Sequence, residues 1–134
     1  MHPALTPEDV LATGDWHPSY VRVLVTASDG DYGIALVDGN GDGAELEQEA
    51  WFWEDGQWRG GSTSGAGALD FLGTIHTSGV IGESGQTSYA YGRALGRESV
   101  RIRFSGETFE VPVGPEGVWA FIKAGNGPAP RLAP

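Results

Sequence analysis

The sequence predicts an all-β protein: an antiparallel β-sandwich of about seven to eight short strands preceded by one short helix. Three observations carry that expectation. Glycine fills 22 of 134 positions, about twice its usual share, and helix interiors tolerate glycine poorly. From Tyr20 onward apolar residues recur with period two, the signature of half-buried strands. Clusters of turn-forming residues (SDGD, DGNGDG, EDGQ, SGET, GPEG) separate these runs, and the short strands so read recur at roughly 8–12-residue spacing, the interval of sandwiches and barrels.

The elements follow in order. In LTPEDVLATG, Thr6 is the expected N-cap, Pro7 opens the helix, Glu8 and Asp9 suit its dipole and Gly14 stops it. DWHPSY is a connector. YVRVLVTA places Val21, Val23 and Val25 on one face and Arg22 on the other, SDGD turns, and YGIALV is the next strand. ELEQEAWFWED then puts Leu46, Gln48, Ala50 and Phe52 on one face, with Glu45, Glu47, Glu49, Trp51 and Trp53 on the other. A face cannot be both a solvated acidic strip and a core, so the Trp end of this strand is expected to enter a covered region. GGSTSGAG, residues 60–67, reads as an exposed flexible loop. LDFLGTIHTS and TSYAYGRAL read as weaker strands. SVRIRF directs Val100, Ile102 and Phe104 inward and Arg101 and Arg103 outward, SGET turns, and Phe109, Val111 and Val113 resume the inward face. VWAFIK, apolar on both faces, belongs in a doubly covered position. Residues 1–124 are thus expected to form a single domain, and residues 125–134 a flexible tail.

Composition narrows the function. There is no cysteine, which removes disulfides, thiolate metal sites and cysteine nucleophiles. No apolar run approaches the ~20 residues of a membrane helix, and the N-terminal stretch lacks a basic start and an apolar core, so a cytoplasmic location is expected. The formal charge of −10 is confined to one half: residues 1–60 hold Arg22 and Arg59 against twelve acids, whereas residues 61–134 hold six basic and six acidic residues. Such a surface repels nucleic acid and anionic membranes and steers a basic protein partner.

The segment DGNGDGAELEQE fits the spacing of a calcium loop, with Asp38, Asn40, Asp42, Gly43 and Glu49 in register. Its flanks read as strands where a calcium hand requires helices, and Asp, Asn and Gly are also the residues a tight hairpin demands. The expectation is a turn, with calcium at Asp38, Asn40, Asp42 and Glu49 as the alternative; no other cofactor is implied. Trp51 and Trp53, continuing the Glu45, Glu47, Glu49 face, are the candidates for exposed aromatic contacts with a partner or a sugar. Catalysis has less support. Asp70, His76 and Ser78 could assemble a triad, but no nucleophile-elbow motif accompanies them, and His2, His17 and His76 lack metal-type spacing. Arg93, Arg97, Arg101 and Arg103 lie close in sequence, and Arg101 and Arg103, at alternate outward positions, form a small basic strip that could pair with the acidic half of a second copy, giving a homodimer. The resulting expectation is a non-catalytic interaction module with an acidic binding face, of which an inhibitor or immunity-type protein is one version. A calcium- or carbohydrate-binding β domain is the alternative, and a small hydrolase comes third.

The segments IALVDGNGDG, YAYGRALG and VRIRFSGETFEVPVGPEGVWAFI resemble segments of small uncharacterised β-rich proteins of high-GC bacteria. The resemblance rests on Tyr91-Gly92-Arg93-Ala94, the following hairpin, and Val111-Pro112-Val113-Gly114 with Gly117 and Trp119, and spans about half the chain. These are turn and core residues, so the resemblance implies a fold and no activity.

Overall fold

A computed structural model describes residues 2–13, 16, 19–125 and 127–134. The expected helix stop at Gly14 and the His17–Pro18 connector lie outside the described residues. The protein is all-β apart from one short N-terminal helix, α1 (Pro7–Thr13). Thr6 caps α1: its Oγ1 accepts the Asp9 N–H at 3.3 Å, while the Asp9 carboxylate accepts the Thr6 N–H at 2.9 Å. This reciprocal pair is a capping box with aspartate as the acid.

Three antiparallel sheets follow. The first has the order β1 (Arg22–Asp29), β2 (Tyr32–Asp38), β3 (Leu46–Glu54), β4 (Gln57–Gly67). The second is β5 (Thr77–Ile81), β6 (Thr87–Arg93) and β9 (Val118–Ala124), and the third is β10 (Arg131–Leu132), β7 (Ser99–Phe104) and β8 (Glu107–Pro112). Two hairpins close as the sequence requires. Asp55-Gly56 and Ser105-Gly106 all have positive φ and join Glu54 to Gln57 and Phe104 to Glu107, the two-residue turn whose twist matches its strands.

Three core clusters separate the layers. Leu24, Ile34, Leu36 and Leu46 of the first sheet meet Tyr89, Tyr91, Val118 and Ile122 of the second. On the far face of the second sheet, Ala90, Trp119 and Phe121 meet Val100, Ile102, Phe104 and Val111 of the third. On the outer face of the first sheet, Ala35, Val37, Trp51 and Trp58 pack under Leu5 and Val10 of the N-terminal arm and helix. The second sheet is therefore buried on both faces, as expected for VWAFIK. Burial of both faces also erases the alternation of TSYAYGR, which is why a central strand reads as a weak one.

Three expectations change. Residues 60–67 are not a loop but the greater part of β4, which pairs with β3 through two register slips. Small residues without side-chain demands extend along an edge as readily as they loop. LDFLGTIHTS is not a strand: Leu69–Phe71 form a single 3-10 turn, and pairing starts only at Thr77. In the C-terminal segment, Arg131 and Leu132 pair with Arg103 and Ile102, and the Ala133 N–H reaches the Arg101 carbonyl at 2.8 Å. No helix among the described residues is long and apolar enough to cross a membrane.

Candidate functional site

The first and second sheets approach each other along β1 and β9, where the Ala124 N–H donates to the Asp29 carboxylate at 2.8 Å. A cleft of about 650 Å³ opens where β3 and β4 face the C-terminal end of β5. Tyr32 and Phe52 are cross-strand partners, so their rings share a face, and with Ala50, Val80 and Ile81 they line the interior. The wall beyond β5 is fixed by Gln86. Its Nε2 donates to the Tyr32 hydroxyl at 2.9 Å and its Oε1 accepts the Ser84 N–H at 3.2 Å. Behind the cleft, Gln48 Nε2 bridges the sheets to the Tyr89 hydroxyl at 2.7 Å.

Asp31, Glu54 and Glu83 contribute carboxylates, and no lining residue is basic. The carboxylates are only weakly neutralised. Asp31 accepts from His2 Nε2 at 2.9 Å, Glu54 lies 3.9 Å from Arg59 Nε, and Glu83 has no ion pair among the described residues. His2 stacks on Trp53 with centroids 4.2 Å apart and meets the Trp58 ring edge-on. The Trp53 ring is thus covered by the N-terminal arm.

The proposed acidic strip does not form one exposed face. Glu45 is exposed and Glu47 and Trp53 are half-buried, but Glu49 is 8% and Trp51 2% exposed. Both oxygens of Glu49 are occupied, accepting the indole N–H groups of Trp16 and Trp51 at 3.1 Å each. Burial raises its pKa above the ordinary value, against the lowering effect of the two indoles, and Glu47 raises it further. The reason is positional: the Trp end of this face enters a covered region, as expected, packing with Leu5 and Val10, and cover by Trp16 extends down to Glu49.

The calcium-type positions are likewise not gathered around one point. Asp38 is fully buried, and its carboxylate accepts the N–H of Gly41 at 3.1 Å and of Gly43 at 2.8 Å, with Arg22 at 2.9 Å. Asp42 accepts the Ala44 N–H at 3.0 Å, and Asn40 is exposed. Glu49 pairs with Ala35, three residues before Asp38 on β2, about 10 Å along the strand. Among the described residues no group of three or more His, Cys, Asp or Glu could hold a metal ion. Asp38 organises the turn that follows β2 by accepting two of its N–H groups.

From Asp38 an ion-pair chain crosses this end of the molecule. Arg22 reaches Glu116 at 3.7 Å, Arg93 reaches Glu116 at 3.5 Å and Asp70 at 3.3 Å, and Arg93 Nε donates to the Glu116 carbonyl at 2.7 Å. The Asp38 hydrogen bond is the leading reason that Arg22 is held above its ordinary pKa. Arg93 is thereby engaged within this chain of ion pairs, and of the basic strip Arg101 lies opposite Glu110 on β8. Asp70 serves Arg93, and His76 sits beside the Tyr91 ring. No hydrogen bond joins Asp70, His76 and Ser78 among the described residues.

In comparisons with protein-family models, curated proteins and solved structures, nothing matched the chain. Trp51 and Trp53, which the sequence singled out, are among the residues that line the cleft, whereas its carboxylates could not be read from the sequence for a simple reason. Asp31, Glu54 and Glu83 each sit at a turn or strand end, and period two tells which face a residue takes but not which strand ends converge.

Proposed function

We propose that the protein is a non-catalytic binding module for a basic protein partner, and that the acid-rimmed aromatic cleft receives the partner's cationic side chains. The observation that carries this reading is the lining itself: Tyr32 and Phe52 beside Asp31, Glu54 and Glu83, without a basic residue. A lysine or arginine entering such a cleft lays its methylene stem on apolar surface and presents its charge to carboxylates and ring faces. The excess acid of residues 1–60 adds long-range attraction, which speeds encounter more than it tightens the final complex. An inhibitor or immunity-type protein that covers a cationic enzyme is one form of such a module. A sugar platform is less well supported, because the Trp51 indole serves Glu49 and the Trp53 ring is stacked on His2.

The test is a titration with an octapeptide of alternating lysine and threonine, followed by tyrosine and tryptophan fluorescence. Saturable binding that weakens steadily between 50 and about 200 mM salt is expected, since screening shortens the reach of exposed charges to about 8 Å at physiological ionic strength. Binding that is absent, or equal for an alternating glutamate–threonine peptide, would reject the reading.

A further inference from the structure

Resting on that reading, we infer that the partner enters as an extended strand, pairing its backbone with the free edge of β4 while alternate basic side chains turn into the cleft. β4 is the terminal strand of its sheet, and Gly60 to Gly65 are all exposed. Sheet edges are ordinarily guarded by charged residues, proline, bulges or a covering element. The stretch Gly60-Gly61-Ser62-Thr63-Ser64-Gly65 carries no charge and no proline, and only the register slips against β3 interrupt it.

This exposed, uncharged edge borders the acidic cleft: Gly61 and Ser62 line it together with Phe52 and Glu54. The facing wall is β5, an edge strand of the second sheet, whose Val80 is 54% exposed. A strand added to β4 directs every second side chain to one face. Chemistry therefore specifies the occupant: an extended segment with lysine or arginine at alternate positions, its main chain supplying affinity and the three carboxylates supplying selectivity. Glycine and serine in β4 keep bulky side chains away from the incoming backbone.

Backbone methylation of the probe tests the pairing without altering the fold. Two isomers of the lysine–threonine octapeptide are made, N-methylated on odd or on even residues. In an added strand only one of these sets of N–H groups faces β4. One isomer is expected to bind at least tenfold more weakly than the parent, and the other within about threefold, with amide exchange slowed among Gly60–Gly65 when the parent binds. Equal binding by both isomers, or equal loss by both, overturns strand addition, and if the parent still binds, the cleft reading survives. No binding by the parent rejects both. A concentration-dependent dimer in the absence of peptide, with the same amides protected, would assign the edge to a second copy and overturn the proposal.

Discussion

Glu49 and Asp38 show how two acids of one sequence motif take opposite roles. Glu49 is held in a nearly water-free site by two indoles, and its carboxyl titrates above the ordinary 4.5. Between that value and its raised folded value, the folded state binds more protons than the unfolded one, so stability falls as pH rises through this window and the cost is complete above it. Relative to Glu49→Gln, the native protein should therefore gain melting temperature as pH is lowered from neutral through this window to its lower bound at 4.5; a difference independent of pH would contradict this. Asp38 does the reverse work, tying two loop N–H groups to Arg22. Asp38→Ala should cost about 2–4 kcal/mol, because two loop N–H groups and Arg22 together lose a buried acceptor, whereas Asp42→Ala should cost about 0.5–1 kcal/mol. Denaturant unfolding of both variants checks the ratio, and millimolar calcium should leave the native melting temperature unchanged. The spacing of the motif was legible in the sequence. Strand geometry also sets Glu49 several residues up the strand from the turn, opposite Ala35; what the spacing could not convey is that Glu49 is buried against the indoles of Trp16 and Trp51.

At the scale of elements, what was legible is what local chemistry dictates. The Thr6 cap of α1, the Asp55-Gly56 and Ser105-Gly106 turns and the alternation of β7 each follow from neighbours in sequence. Gly56, with φ of 79°, has a conformation that costs an L-residue roughly 1–2 kcal/mol, so Gly56→Ala should lower stability by about that amount in thermal unfolding. Elements decided by tertiary cover were less legible, although VWAFIK announced its double cover by being apolar on both faces. β6 lost its alternation because both faces are buried, and β4 looked like a linker because glycine and serine report nothing about pairing. Gly92 illustrates the same limit. A Cβ there would run into the Thr74 carbonyl, so Gly92→Ala should destabilise by about 1–3 kcal/mol through overpacking, a cost no local pattern announces.

At the scale of the whole molecule, the division of charge is the property that sequence and structure both display. All of the net charge belongs to residues 1–60, and this half supplies Asp31 and Glu54 to the cleft, with Glu83 joining from beyond β5. The sequence placed the acidic face on Glu45, Glu47 and Glu49. The fold buries Glu49 and concentrates aromatic and acidic groups at the opposite end of β3, where strands distant in sequence converge. The two locations make different predictions. The most direct measurement is calorimetric titration of the lysine–threonine octapeptide into the native protein, into Glu54→Lys/Glu83→Lys and into Glu45→Lys/Glu47→Lys. Both double variants change net charge equally, so non-specific attraction falls alike in each. The cleft account predicts that the first loses binding at least tenfold more than the second. Equal losses, or a greater loss from Glu45 and Glu47, would contradict it.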